Sequence, residues 1–146
     1  MIGIVILNYE TWDVTLKCIK SIVKTETTEK ICLYLVDNAS TSSMPEELKK
    51  YIAEHNVTYI TSKENRGYAA GNNLGIQKAL EDQCEYILIS NNDILYRKDS
   101  IEAMCTFMKE HQGGIVGPQV VDPNGKRQPS VGMIKTGIKE IFRFYT

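Results

Sequence analysis

Asn91-Asn92-Asp93 closes an apolar run of strand length, Tyr86-Ile-Leu-Ile-Ser90. A carboxylate just past the C-terminal end of a buried strand suits a divalent cation that also binds phosphate oxygens. Taken alone, the triplet favours a surface turn, because Asn and Asp bond their own backbone in turns. Its position among other loops reverses that preference. Asn8-Tyr9-Glu10, Asp37-Asn38-Ala39-Ser40 and Asn65-Arg66-Gly67 each leave an apolar run in the same way. Ligands of open parallel sheets bind beyond the C-terminal strand ends, so loops converging there form a site.

Asp37 has three readings. Its carboxylate can cap a helix or close an Asx turn with Asn38-Ala39-Ser40. It can accept the ring N–H of a pyrimidine base. It can also accept a ribose hydroxyl, as an acid after the second strand does in dinucleotide folds. The dinucleotide reading fails one loop earlier. It requires glycines in a G-x-G-x-x-G turn, and Asn8-Tyr9-Glu10-Thr11-Trp12 puts bulky side chains there. No Walker A sequence is present. Phosphates then need another counter-charge, for which Asp93 with a divalent cation and the fixed charge of Arg66 are available.

The elements that must position these residues are legible from periodicity. Apolar runs at 3–7, 31–36, 57–61 and 86–90 predict strands, with a fifth at 115–121 interrupted by Gly117-Pro118. A stripe of Trp12, Leu16, Ile19 and Val23 predicts a helix over 12–24. Ser43 and Glu46 have capping-box spacing, with Pro45 inside the first turn of a helix reaching 55. A third helix spans 68–80, rich in Ala and Gly. A fourth opens at Asp99 with Glu102 and buries Ile101, Met104, Cys105 and Met108. Asp122-Pro-Asn-Gly125 predicts a hairpin turn. Strand and helix alternate, so the expected class is α/β: a Rossmann-like, mostly parallel sheet with helices on both faces. Gly71 and Gly75, one turn apart, suit close packing of the third helix on that sheet. Gly67 permits a turn. Asn72 or Asn73, costly at a helix start, faces ligand or bonds the backbone.

At 146 residues, 42% hydrophobic and 24% charged, the chain has the content of one globular domain. A net charge of −1 argues against a general nucleic-acid binder. No apolar run reaches the roughly 18 residues of a membrane span. The start reads as a strand, not a signal peptide. Cys18, Cys32, Cys84 and Cys105 form no CxxC pair. They read as buried free thiols of a reducing compartment, and zinc-ligand spacing is absent. The expected location is the cytoplasm, or the inner membrane face as a peripheral protein.

Taken jointly, five stretches in order resemble a family 2 glycosyltransferase of the GT-A fold. They are Ile4-Val-Ile-Leu-Asn-Tyr9, Cys18-Ile-Lys-Ser21, Val36-Asp-Asn-Ala-Ser40, Asn65-Arg-Gly-Tyr-Ala-Ala-Gly-Asn-Asn-Leu-Gly75 and Leu88-Ile-Ser-Asn-Asn-Asp93. Gly117-Pro118, Gly125 and Gln128-Pro-Ser-Val-Gly132 continue the likeness, whose flavour is that of the rhamnosyltransferase-like branch. The resemblance implies an inverting transfer from a nucleoside-diphosphate sugar, uridine or thymidine type, to a polysaccharide or glycolipid acceptor. It implies a site of Asn8, Tyr9, Asp37, Asn65, Arg66, Asn91, Asn92 and Asp93, to which Asn72 is added from its place at the start of the third helix, with Asn8-Tyr9 and Asp37 at the nucleobase and Asn65 and Arg66 bordering the nucleotide. Asp93 matches the last acid of the family's Asp-x-Asp, holding Mg or Mn, and Asn91 departs from the first. The family's catalytic base lies downstream of this region, and no acid after Asp93 matches it.

Two rival readings are a nucleotide-sugar-binding module without turnover and a nucleotidyltransferase. The latter usually needs a Gly-rich basic loop after the first strand, and none is present. The expected organisation is a donor-binding domain over 1–132 and an amphipathic tail over 133–146, the start of a missing acceptor region. Ile134, Ile138, Ile141, Phe142 and Phe144 in that tail suggest a homodimer.

Overall fold

The structure is a computed structural model and describes residues 1–111 and 114–128. Its elements alternate: β1 (Ile2–Asn8), α1 (Trp12–Val23), β2 (Ile31–Asp37), α2 (Glu46–Glu54), β3 (Thr58–Thr61), α3 (Tyr68–Glu81), β4 (Tyr86–Asn91) and α4 (Ser100–His111). The strands form one parallel sheet in the order β3-β2-β1-β4. Central β1 is buried on both sides, which is why it is apolar at nearly every position. Ile2, Ile4 and Ile6 point to one face, against Leu16, Ile19 and Ile22 of α1, Leu48 and Ile52 of α2, and Ile101 and Cys105. Val5 points to the other, with Tyr34, Val36, Ala79 and Cys84. Helices therefore cover both faces, as the alternation predicts.

Register fixes the site. Asn8 pairs with Asp37, Leu7 with Asn91, and Asp37 with Thr61. The C-terminal ends of all four strands are therefore level, and the loops after them emerge side by side.

The packing role of Gly71 and Gly75 holds. A Cβ at Gly75 would lie 2.4 Å from Val5 Cγ1 and 3.0 Å from Val36 Cγ2, and one at Gly71 would lie 2.5 Å from Leu7 Cδ1. Both valines are fully buried and stiff at χ1. Gly75→Ala is thus expected to destabilise the fold. Overpacking costs about 1–3 kcal/mol, against a gain of roughly 0.5–1 kcal/mol from helix propensity. A urea midpoint at or above that of the parent would contradict this balance.

Several expectations need correction. Ser43 is not a helix cap. Pro45 takes that position at φ −61° and ψ 146°, with no side-chain cap, and α2 begins at Glu46. The residue before a proline is driven away from helical geometry, so Met44 cannot open the helix that a Ser43 cap requires. The fifth strand is not formed among the described residues. Residues 115–121 contribute only an antiparallel bridge, Val121 to Arg127. The hairpin turn does form there: Asp122 Oδ1 accepts from the amides of Asn124 and Lys126, and Gly125 sits at φ 80°. Cys18, Cys84 and Cys105 are buried, but Cys32 is partly exposed. It precedes the first β2–β3 pair, Tyr34 with Thr58, so no strand covers it on that side.

The chain divides into two units, Met1–Cys105 and Thr106–Thr146. The boundary expected at 132/133, and the tail with its apolar residues, lie outside the described residues. Among the described residues no helix is long and apolar enough to cross a membrane.

Candidate functional site

Asn8 ends β1 fully buried, and its amide is bonded internally at both ends. Its Oδ1 accepts from Thr15 Oγ1 at 2.7 Å, and its Nδ2 donates to Ser40 Oγ at 3.2 Å. It ties β1 to α1 and to the loop after β2. Tyr9 is the member of that pair that faces outward, 49% exposed.

Asp37 is 8% exposed and carries the Asx-type turn. Its Oδ1 accepts from the Ser40 amide at 3.0 Å and from Ser40 Oγ at 2.6 Å. Its Oδ2 accepts from the Tyr59 hydroxyl at 3.2 Å. An ionised carboxylate offers about four lone-pair sites, so Oδ2 retains capacity for one more donor. Desolvation and the Asp37 charge push the Tyr59 phenol up to about 12.

Asn65 Oδ1 accepts from Asn38 Nδ2 and from the Gly67 amide, both at 2.9 Å. It thereby joins the loop after β2 to the start of α3. Gly67 turns the chain at φ 88°. Arg66 is exposed and pairs with Glu64 at 3.7 Å, a contact of little energetic weight. Asn72 is buried and its Nδ2 donates to the Tyr68 carbonyl at 2.9 Å, the backbone-bonding alternative for this residue. The amide oxygens of Asn38 and Asn72 have no hydrogen-bond partner among the described residues.

Leu7, Tyr9, Thr11, Tyr68, Asn91, Asn92 and Asp93 line one cleft of about 320 Å³. Asn91 Oδ1 accepts from the Tyr68 hydroxyl at 2.9 Å. Asn92 Nδ2 donates to Thr11 Oγ1 at 2.7 Å and Thr15 Oγ1 at 2.8 Å. Behind the cleft, Tyr96 donates to Ser90 Oγ, and Ser90 donates to the Asn91 carbonyl, both at 2.8 Å. Burial pushes the Tyr96 phenol up to about 12. Both asparagines are thus held, while Asp93 is exposed and makes no hydrogen bond or ion pair among the described residues. Of the residues singled out in the sequence, the cleft gathers Tyr9, Asn91, Asn92 and Asp93. It does not include Asp37, Asn65, Arg66 or Asn72. A larger cavity of about 500 Å³ opens among Lys30, Ile31, His55 and Asp82, toward the opposite end of β2, and holds none of those residues.

The structure adds residues to which the sequence assigned no role. Tyr68 stands at the first position of α3, directly after the Gly67 turn. Thr11 and Thr15, four apart, present two hydroxyls to one asparagine. Glu10 crosses to the next loop, its carboxylate accepting from the amides and hydroxyls of Thr41 and Ser42. These bonds, the Ser42 hydroxyl foremost, hold the Glu10 carboxyl at about 2, below its ordinary 4.5. A depressed carboxylate contributes stability that is whole above its unfolded value and lost as pH falls through its folded one. The urea midpoint of the parent minus that of Glu10→Gln should therefore be flat above about 4.5 and shrink from there toward about 2. A difference independent of pH would show that the carboxylate is not held this way.

Residues 3–145 match the family described as Glycosyl transferase family 2. The chain belongs to that family. Low-salt glycan biosynthesis hexosyltransferase Agl10 of Haloferax volcanii is 32% identical over 92 residues, covering 62% of this chain and 29% of its own length. dTDP-rhamnosyl transferase RfbF of Shigella flexneri is 26% identical over 132 residues, 89% of this chain and 43% of its own. Mannosyltransferase PcManGT from Pyrobaculum calidifontis, solved in complex with GDP-Man and Mn2+, shares the fold with a TM-score of 0.66 at 20% identity, covering 84% of this chain and 36% of that one. S. aureus TarS in complex with UDP-GlcNAc also gives 0.66, at 18% identity, covering 81% of this chain and 37% of that one. This family 2 chain therefore spans less than half the length of each of these proteins, and its fold is of the GT-A type.

Proposed function

We propose that this chain binds a nucleoside-diphosphate sugar, uridine or thymidine type, at the C-terminal edge of its sheet. The reaction served is inverting transfer of the sugar to a polysaccharide or glycolipid acceptor, on the rhamnosyltransferase-like branch of the family. The observation that carries this reading is the Asp93 carboxylate, without a partner among the described residues, in a cleft walled by Tyr9 and Tyr68. Proteins of the same fold solved with GDP-Man and Mn2+ or with UDP-GlcNAc, and the dTDP-rhamnosyl relative, support it.

The donor set fits a hard cation of modest affinity. Among the described residues no group of three or more His, Cys, Asp or Glu gathers to hold a metal. Mg²⁺ is commonly held by one or two carboxylates plus substrate phosphates and water, and Asp93 supplies one such carboxylate. When bound, a divalent cation at Asp93 would offset charge growing on the departing diphosphate. Tyr9 and Tyr68 line the cleft that takes the donor, and Tyr68 and Thr11 fix the two asparagines beside it. Asp37 and the Asn65-Arg66 turn border the nucleoside.

One observation favours a second reading, binding without turnover. Asp93 is the only carboxylate lining the cleft among the described residues. If it holds the cation, no other acid there is placed to take the acceptor's proton. Binding of a uridine or thymidine diphosphate sugar by calorimetry, measured apart from nucleoside-diphosphate release in the presence of acceptor, separates the two. Binding with multiple-turnover release supports the transferase. Binding without release supports the module. Absence of binding rejects both.

A further inference from the structure

We infer that Glu10 is a positioning residue for nucleobase discrimination, acting through Ser40 and Asp37. This rests on the proposed reading of Asp37 as the base acceptor.

Glu10 stands at φ 60° and Ala39, in the facing loop, at φ 62°. Neither is glycine, and left-handed backbone at such residues persists only where the surroundings enforce it. The enforcing contacts are visible. The Glu10 carboxylate accepts from Thr41 and Ser42, through both amides and both hydroxyls. The Glu10 amide donates to Ser40 Oγ at 3.0 Å, and Asn8 Nδ2 donates to the same oxygen at 3.2 Å. Having accepted from both, the Ser40 hydroxyl spends its single proton on Asp37 Oδ1, at 2.6 Å. Trp12 Nε1 adds bonds to the Ser42 carbonyl and hydroxyl, both at 3.1 Å.

The chain of donors has a direction. Glu10 fixes residues 40–42, Ser40 occupies Oδ1 of Asp37, and Oδ2 is left as the oxygen with spare capacity. Without the Glu10 carboxylate, the Thr41 and Ser42 amides lose their acceptor, and the loop that aims Asp37 is held to β1 at Asn38 and Ser40 but no longer at 41–42. The Asp93 carboxylate accepts none of these bonds, and the link from Ser40 through Asn8 and Thr15 to Asn92 does not pass through the Glu10 carboxylate. Loss of Glu10 should therefore degrade the choice of base and spare the affinity common to all nucleoside diphosphates.

The test is calorimetry of uridine diphosphate and adenosine diphosphate with Mn²⁺, on the parent, Glu10→Gln and Glu10→Gly. The glycine variant suits the left-handed backbone and removes the whole side chain, whereas glutamine keeps its length and one acceptor oxygen, so each guards against misfolding of the other. A displaced hydrogen bond to a charged group is worth roughly tenfold or more. The uridine-over-adenosine ratio should fall by about that factor in the glycine variant and by less in the glutamine variant, which keeps one acceptor oxygen, while adenosine diphosphate affinity changes by less than about twofold in either. Amide exchange at Thr41 and Ser42 should quicken in the glycine variant, with or without nucleotide. Variants that keep the parent ratio overturn the inference and leave the proposed function standing. Equal losses for both nucleotides overturn it in favour of a purely structural role. A parent that binds neither nucleotide overturns the proposed function itself, and one that binds both equally overturns the role given to Asp37.

Discussion

Asp93→Ala should remove the divalent-dependent part of nucleoside-diphosphate binding and leave the fold intact. The residue is exposed, lies in the turn after β4, and has no partner among the described residues. Its loss therefore breaks no internal bond, and the urea midpoint should stay within about 0.5 kcal/mol of the parent, as for surface substitutions generally. The binding effect should be much larger. Asn91 has its side-chain oxygen engaged by Tyr68, and Asn92 donates its amide to two threonines. Both present only neutral amide oxygens, so neither supplies the charge of a carboxylate. Even supporting residues around a metal cost about 10–100-fold in affinity when lost, and a direct ligand should cost at least as much. Calorimetry with and without Mn²⁺ reads this directly. An unchanged metal-dependent increment in Asp93→Ala would place the cation elsewhere. Asp93→Asn sharpens the test, because it keeps shape and removes charge. It should behave like the alanine variant if charge is what holds the ion.

The parts of this site that were legible in the sequence are those set by strand ends. An apolar run followed by polar residues announces where a buried parallel strand stops, and the register then makes Asn8, Asp37 and Asn91 neighbours. What stayed hidden is of another kind. Glu10 and Thr41 are separated by 31 positions, and no local pattern says that one caps the other. Tyr68 read as a helix opening, and only its tilt across to β4 shows it holding Asn91. Hidden too were the internal bonds of Asn8, which the structure holds between Thr15 and Ser40 while Tyr9 faces outward. Local rules also misled where two of them competed. Ser43 and Glu46 have the spacing of a capping box, but Pro45 moves the helix start to Glu46. At 115–121 the apolar pattern is genuine, yet Pro118 has no N–H to give a ladder. The bridge that forms is the one the turn at 122–125 enforces.

Asp37→Ala should weaken uridine or thymidine diphosphate binding by roughly 1.5–3 kcal/mol, the range for a hydrogen bond to a charged group. Adenosine diphosphate is the control, since a carboxylate can accept the ring N–H of uracil or thymine and adenine has no equivalent donor. Guanine does carry one, so a guanosine nucleotide is not a suitable negative. The alanine variant alone is ambiguous, because Asp37 also holds the Ser40 amide and hydroxyl and receives Tyr59. Removing it loosens the loop as well as the base contact. Asp37→Asn separates the two effects. Its amide oxygen can still accept from Ser40, so the turn persists, but its NH₂ would then face the incoming N–H as donor against donor. Asparagine should therefore lose pyrimidine affinity nearly as fully as alanine while keeping the amide-exchange protection of Ser40. If asparagine instead restores binding, the carboxylate serves the turn and the base is read by another group. If adenosine and uridine diphosphates lose affinity equally in both variants, Asp37 reads a hydroxyl of the ribose they share, which is the third reading the sequence left open.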